Sequence, residues 1–270
     1  MARGYLDLRR APLPGARVST KEEAVRKASR VTGIGALVLG ILCIAAPARA
    51  ERPAIADQIA KTYGVDSWGQ VEAIRYTFNF TWKKLKLSRS WVWEPKTDRI
   101  SYDGPDKAGN PVKVTYSRSQ LASQSAVVKD EVDPAFFNDQ YNLFFQFHVA
   151  WDTSATVQDA GMQKLPLGKG SGEKVVMKYP SEGGYTPGDT WALYLGTDGR
   201  IRELEIHRVN AKPSVYLATC ADYKKAGPLL LSLDRPGTGD GGTIRIFFSN
   251  VAVKLAGSDT WTEAQPLPAG

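Results

Sequence analysis

The most informative segment of the chain is Asp133–Asp152, DPAFFNDQYNLFFQFHVAWD. It holds six aromatic residues before its Trp is counted, and Pro134 suits the first turn of a helix. At helical spacing, large apolar side chains cover all but a narrow polar strip, formed by Asn138, Asp139, Asn142 and Gln146. A surface helix usually carries an apolar stripe of about 100°, and this one is about twice as wide. The pattern therefore predicts a helix that is covered on more than one side.

Two interpretations of this helix are open. It is either a lid or plug over an apolar cavity, or an ordinary helix packed into a β core. Aromatic stripes at helical spacing arise mostly from packing, so the segment alone favours the second interpretation.

The clearest strand signal lies upstream, between residues 74 and 82. Apolar and polar residues alternate strictly there, with one face formed by Ile74, Tyr76, Phe78, Phe80 and Trp82. This period of two predicts a strand in an antiparallel sheet with one wet side. Residues 88–94 return with Trp91 and Trp93 on one face.

Further segments extend the same pattern and predict about nine or ten strands. A short helix is predicted at 52–63, and residues 119–132 read as helix or loop. The remaining strands are predicted at 99–103, 112–117, 173–179, 190–195, 200–209, 214–223, 229–234 and 243–255, and residues 155–159 are a further candidate strand. Short turns join almost all of them, which predicts one antiparallel sheet curled into an open or closed barrel. Residues 51–270 are then a single domain, with a tail from about residue 256.

The first fifty residues differ from the rest. They carry nine Lys/Arg and three Asp/Glu, a net charge of +6 within a chain total of +7. The segment 31–46 is uncharged and apolar, and Ala48-Arg49-Ala50 follows it. This arrangement predicts a secretory signal cleaved after Ala50 and a periplasmic protein. The alternative is an inner-membrane anchor formed by residues 31–48, which is near the lower length limit for a span.

Composition also excludes several function classes. Residues 51–270 have a net charge of only +1, so the charge gives no support for nucleic-acid binding. Cys220 is the one cysteine of that part, which excludes an internal disulfide and indicates a small buried hydrophobe. The two histidines and this cysteine offer no zinc-ligand spacing, so neither a metal nor another cofactor is predicted. His148 and Asp152, at i and i+4, are a remote candidate for a hydrolase base and its orienting carboxylate.

What remains is an apolar face rich in large rings. A curled sheet either fills its interior with side chains or leaves a ligand cavity. If it leaves one, the predicted lining is Tyr76, Phe78, Phe80, Trp82, Trp91, Trp93, Phe137, Tyr141, Phe144 and Phe145.

Three motifs carry a resemblance to a known family. FNDQYNLF at 137–144, KVVMKY at 174–179 with GYTPGDTW at 184–191, and IRIFFSNV at 244–251 resemble segments of secreted bacterial proteins of the outer-membrane lipoprotein-sorting (LolA-like) family. The chain departs from that pattern at Asn142 and Gln146, where the family commonly has Trp and Pro. The resemblance implies an incomplete, strongly curved β-barrel with covering helices, which in the carriers themselves holds lipoprotein acyl chains. It implies no catalytic residue.

These observations predict a periplasmic, non-enzymatic carrier of an apolar ligand such as a lipid or a lipoprotein acyl chain. The alternative prediction is a cell-envelope interaction module with a filled barrel, a protein partner and no ligand.

Overall fold

The computed structural model describes residues 52–183, 186–209 and 213–268. Its α-helices are α1 (Ala54–Thr62) and α2 (Asp133–Trp151); 3-10 turns lie at Val65–Gln70 and Arg118–Ser123, and a π-helical turn lies at Val128–Val132. Residues 1–50, predicted to be a secretory signal, lie outside the described residues, and so does the predicted cleavage after Ala50. Neither described helix is long and apolar enough to cross a membrane.

One mainly antiparallel sheet contains all the strands of the described residues. They are β1 (Val71–Trp82), β2 (Leu85–Glu94), β3 (Arg99–Pro105), β4 (Pro111–Ser117), β5 (Thr156–Lys164), β6 (Ser171–Lys178), β7 (Thr190–Leu195), β8 (Ile201–Arg208), β9 (Ser214–Thr219), β10 (Ala221–Ala226), β11 (Leu229–Gly239), β12 (Gly242–Leu255), β13 (Trp261–Glu263) and β14 (Gln265–Pro266).

The strand order is β4-β3-β2-β1-β12-β11-β9-β8-β7-β6-β5. Strands β4 and β5 end this path and do not pair with each other, so the sheet of the described chain stays open. Almost every neighbour is also a neighbour in sequence, as expected for hairpins with short turns. The exception that joins the two halves is the pairing of β1 with β12.

Side chains that alternate along each strand give the sheet one continuous apolar face, which we call the inner face. Tyr76 of β1 lies opposite Trp91 of β2, and Phe78 lies opposite Phe248 of β12. Because directly opposed residues share a face, the period-two pattern of each strand adds to the same surface. Towards the β5 edge of the sheet, Trp191 of β7 continues the inner face.

The position of α2 shows how strongly the sheet is curved. Asp139 of α2 is hydrogen-bonded to Trp91 of β2, while the ring of Tyr141, two residues later, lies 4.8 Å from the ring of Trp191 on β7. Strands β2 and β7 are six places apart in the strand order, which is about 29 Å on a flat sheet at about 4.8 Å per strand. A helix is only about 10–12 Å across. The sheet therefore curls around α2, and the prediction of an incomplete, curved barrel with a covering helix is confirmed.

The structure differs from the sequence-based expectation in strand detail. Residues 214–223 form two strands rather than one, because the chain breaks at Cys220, whose N–H bonds the Arg202 carbonyl. Both pieces pair with β11. Residues beyond 256 add the short strands β13 and β14, which pair with β12 and β10. The strand count therefore exceeds the nine or ten expected.

Candidate ligand-binding face

The ten residues predicted to line an apolar cavity do lie together on the inner face and on α2. Seven of them are buried, namely Tyr76, Phe78, Phe80, Trp91, Tyr141, Phe144 and Phe145. Trp82, Trp93 and Phe137 are partly buried and pack against the same core. Contacts between α2 and the sheet contribute to this burial, since Phe136 and Phe144 of the helix pack against Trp91 and Trp93.

Rings from the helix and rings from the sheet interlock along this contact. Phe136 of α2 meets Trp91 and Trp93 edge-on at 5.4 and 5.6 Å between ring centroids. Phe144 lies 5.4 Å from Trp68, which precedes β1. The sheet and the segment that precedes β1 thus both pack against α2, as its wide apolar surface predicts.

The polar strip of α2 faces the sheet rather than solvent. Asp139 is fully buried and accepts two hydrogen bonds from the guanidinium of Arg89, at 2.7 and 2.5 Å, and one from the indole of Trp91 at 2.9 Å. Burial raises the pKa of the Asp139 carboxyl, and the neighbouring Arg89 opposes that shift. A two-pronged pair of this kind is geometrically specific, so it ties α2 to β2 in one register.

A second buried arginine, Arg235 of β11, contacts α2 near its kink. The helix departs from helical geometry at Phe144 (φ −117°, ψ 17°), and Arg235 donates to the carbonyl of Asn142 just before it. Its guanidinium carbon lies 4.6 Å from the ring of Phe145 and 5.4 Å from that of Phe248. Arg235 has no ion pair among the described residues, so carbonyl oxygens and ring faces stabilise its charge.

The start of α2 has a similar tether. Asp133, in the first helical turn, is buried and accepts hydrogen bonds from Arg118 at 2.9 Å and from the hydroxyl of Tyr116 at 3.0 Å. An acidic residue is also favourable there because the N-terminus of a helix carries partial positive charge. The helix is therefore held by polar contacts at its start, its middle and its kink.

At the other end of α2, His148 is packed among aromatic side chains. Its ring stacks on Tyr141 at 4.2 Å and meets Trp151 edge-on at 5.8 Å. Burial lowers the pKa of His148 to about 4, although the nearby Asp152 carboxylate acts in the opposite direction. The imidazole is therefore neutral at physiological pH.

The arrangement expected of a hydrolase base is not formed by His148 and Asp152. Asp152 accepts its hydrogen bonds from Tyr179 and Ser154, both at 2.9 Å, while the nearest hydrogen-bonding partner of His148 is Gln140 at 3.4 Å. A base and its orienting carboxylate need a direct hydrogen bond. Cys220 is buried, and burial raises the pKa of its thiol to about 11, which confirms it as a packing residue.

One part of the concave side is not filled by α2. A groove of about 300 Å³ remains between α1 and the ends of β5, β6 and β7, which we call the α1 groove. None of the ten predicted residues lines it; its walls are formed by Ile55, Gln58, Ile59, Thr62, Met162, Ser171, Gly172, Glu173, Leu195, Gly196, Thr197 and Gly199.

Sequence reasoning missed Arg89 and Arg235, the two buried cations that contact α2. The signal was present, because Arg89 shares the strand parity of Trp91, and Arg235 that of Leu231 and Leu233. An arginine in a position that otherwise alternates as apolar predicts an inward guanidinium with a specific partner.

Neither protein-family models nor curated proteins give a match to this sequence. Solved structures do. A DUF1329 family protein from Desulfovibrio piger has a TM-score of 0.43 and 10% identity, over 77% of this chain and 96% of that one. An outer membrane lipoprotein-sorting protein domain from Vibrio parahaemolyticus has a TM-score of 0.42 and 11% identity, over 76% and 93%. A LolA superfamily protein from Nitrosomonas europaea has a TM-score of 0.38 and 8% identity, over 73% and 92%.

These structural neighbours include the lipoprotein-sorting family that the sequence motifs resemble.

Proposed function

We propose that this chain is an exported, non-enzymatic protein that binds an apolar ligand, such as a lipid or a lipoprotein acyl chain. In the form described above, α2 occupies the space that the ligand takes. The observation that carries the proposal is a ring-covered helix lying in the concavity of an open, curved sheet. Export is supported by the leader, whose charge and apolar run are those of a secretory signal.

The contact between α2 and the inner face is suited to exchange. Its apolar part consists of aromatic rings packed against aromatic rings. Because hydrophobic contact is not directional, an acyl chain can replace these contacts. Burial of each CH₂ group stabilises by about 0.8 kcal/mol, so a sixteen-carbon chain offers about 12 kcal/mol of gross stabilisation. Breaking a buried ion pair costs about 3–5 kcal/mol. A chain that displaces α2 must replace both the apolar contacts of the helix and its polar tethers, so weakening a tether lowers the threshold.

The test uses Asp139→Asn, which removes the charge that Arg89 pairs with and leaves the rings in place. The apparent affinity of a binder equals its intrinsic affinity multiplied by the fraction of competent molecules. Weakening the tether raises that fraction, so we expect about tenfold tighter binding of a palmitoylated peptide for each 1.4 kcal/mol lost by the closed form. Fluorescence titration measures the affinity, and native mass spectrometry identifies any lipid that copurifies.

Two controls keep this test specific. Ile201→Val removes a buried methylene beside Tyr63, away from the tethers, and should cost about 1 kcal/mol of stability without changing affinity. The double variant Arg89→Met with Asp139→Leu removes the tether without leaving an unpaired buried charge. If neither the parent nor any variant binds an acyl chain, the proposal is refuted.

A second candidate function is favoured by the filled interior. Seven of the ten rings are buried in the closed form, as an envelope interaction module without a ligand requires. That candidate predicts that Asp139→Asn lowers stability and yields no acyl binding, and that one protein partner binds the outer surface of the intact chain.

A further inference from the structure

Glu173 of β6 is an acidic residue on the inner face, at the α1 groove. It shares the strand parity of Val175 and Met177, which are completely buried in the core. Directly opposite it lie Met162 of β5 and Leu195 of β7. Directly opposed residues share a face, so the carboxylate is placed between two apolar side chains, in the wall of the groove.

This carboxylate forms no ion pair and no hydrogen bond with any residue of the described ranges. On the same face of β5, Asp159 and Lys164, which carry opposite charges, lie at the next paired positions on either side. No Lys or Arg lines the groove. A partly buried acid in such surroundings favours a positively charged ligand group, because neighbouring positive charge restores part of the lost hydration.

The remaining walls define what is attached to that charge. Ile55 and Ile59 of α1 and Leu195 provide an apolar side, and Thr62 and Thr197 also line the groove. An ammonium group has three donors, and the Glu173 carboxylate is the charged acceptor among the lining residues. The groove holds about 300 Å³, and a liquid water molecule occupies about 30 Å³, so about ten non-hydrogen atoms fit.

We propose that the α1 groove binds a protonated aliphatic amine, with the ammonium group on Glu173 and the carbon chain along Ile55, Ile59 and Leu195. The inference rests on the proposed function, since it names the head-group chemistry of one apolar ligand that the concave side accepts. It adds a binding place that does not require α2 to move.

The test compares three eight-carbon probes on the purified protein by isothermal titration calorimetry: n-octylamine, n-octanol and n-octanoate. We expect n-octylamine to bind about fivefold more tightly than n-octanol, which corresponds to about 1 kcal/mol for a partly exposed charge pair. n-Octanoate should bind more weakly than both, because Glu173 repels its carboxylate. Raising the salt concentration should reduce the preference for the amine.

Two variants and one control locate the site. Glu173→Gln should make n-octylamine and n-octanol bind equally, and Ile55→Trp, which fills the groove, should weaken both. Glu182→Gln removes an exposed acid from the loop at the opposite end of β6 and should leave all three affinities unchanged. Equal binding of the three probes to the parent, or an amine preference that survives Glu173→Gln, would overturn the proposal.

The same variants separate this site from the proposed function. Asp139→Asn should change palmitoylated-peptide binding and leave n-octylamine binding alone, whereas Glu173→Gln should leave palmitoylated-peptide binding largely intact. Failure of the amine test with retained acyl binding refutes only the groove, and the reverse result refutes only displacement of α2.

Discussion

Among single residues, the buried charged side chains are those that have well-placed hydrogen-bonding or aromatic partners. Asp139 receives three donors from β2, whereas Arg235 is surrounded by carbonyl oxygens and ring faces. Breaking either arrangement would leave a buried charge without compensation, which costs far more than the interaction itself contributes. These residues therefore specify how α2 sits, more than how stable the core is.

His148 makes stability depend on pH in a defined window. The pKa of His148 in the folded state is about 4, below the ordinary value of 6.5. The folded state therefore binds this proton at a lower pH than the unfolded state does. Stability from this group is fully present above pH 6.5 and is lost as the pH falls towards 4. The loss amounts to about 3 kcal/mol. Urea unfolding at pH 7, 5.5 and 4.5 measures it.

A matched pair of variants assigns that pH dependence. His148→Gln should flatten the decline, while His207→Gln, which changes an exposed histidine beside Glu205, should leave the decline in place. An unchanged slope in His148→Gln would show that another group causes the loss.

At the scale of elements, the turn after α1 sets the position of this helix against the sheet. Gly64 has φ +91°, and an added Cβ would lie 2.3 Å from the Pro228 carbonyl oxygen. The Leu230 N–H bonds the Tyr63 carbonyl at the same place. Gly64 directly follows the helix predicted at 52–63, where a glycine is a common stop signal, but its contact with a turn more than 160 residues away is not encoded in the local sequence.

Variants at two glycines with the same φ separate the cost of backbone strain from the cost of a steric clash. Gly64→Ala should lower the free energy of unfolding by about 3 kcal/mol, through left-handed strain of about 1–2 kcal/mol and the clash with Pro228. Gly109→Ala shares φ +91° but would meet nothing within 4 Å, so it should cost the strain alone. Chemical denaturation measures both; equal losses would contradict the role of the contact.

At the scale of the whole molecule, α2 is the element around which the chain closes. It contacts β2 through Trp91, β7 through Trp191 and the segment before β1 through Trp68. The sheet has no other buried helix of this length among the described residues, and its two edge strands do not meet. Removing ring volume from α2 should therefore loosen contacts on several strands at once.

Phe144→Ala tests this central position. Phe144 is fully buried between Trp68 and Trp93, so its truncation should cost about 3–5 kcal/mol. Phe137→Ala, on the same helix but only partly buried, should cost clearly less. Thermal unfolding monitored by tryptophan fluorescence compares them, and similar losses would argue against a helix enclosed mainly at Phe144.

The elements and the faces they bury follow from local sequence patterns. The alternation at 74–82 places Tyr76, Phe78 and Phe80 inward, and the ring pattern after Pro134 predicts a helix enclosed from more than one side. Both predictions follow from a repeat of 2 or 3.6 residues, which is visible within a short segment of the chain.

Whether the concave side is hollow became clear only from the folded chain. That outcome depends on which strand closes against β1, and on Asp139 meeting Arg89 fifty positions away. Local periodicity does not encode such distances, because strand order and helix placement follow from the packing of the whole chain. The unfilled groove beside Glu173 is likewise a property of how α1, β6 and β7 meet, which no single segment contains.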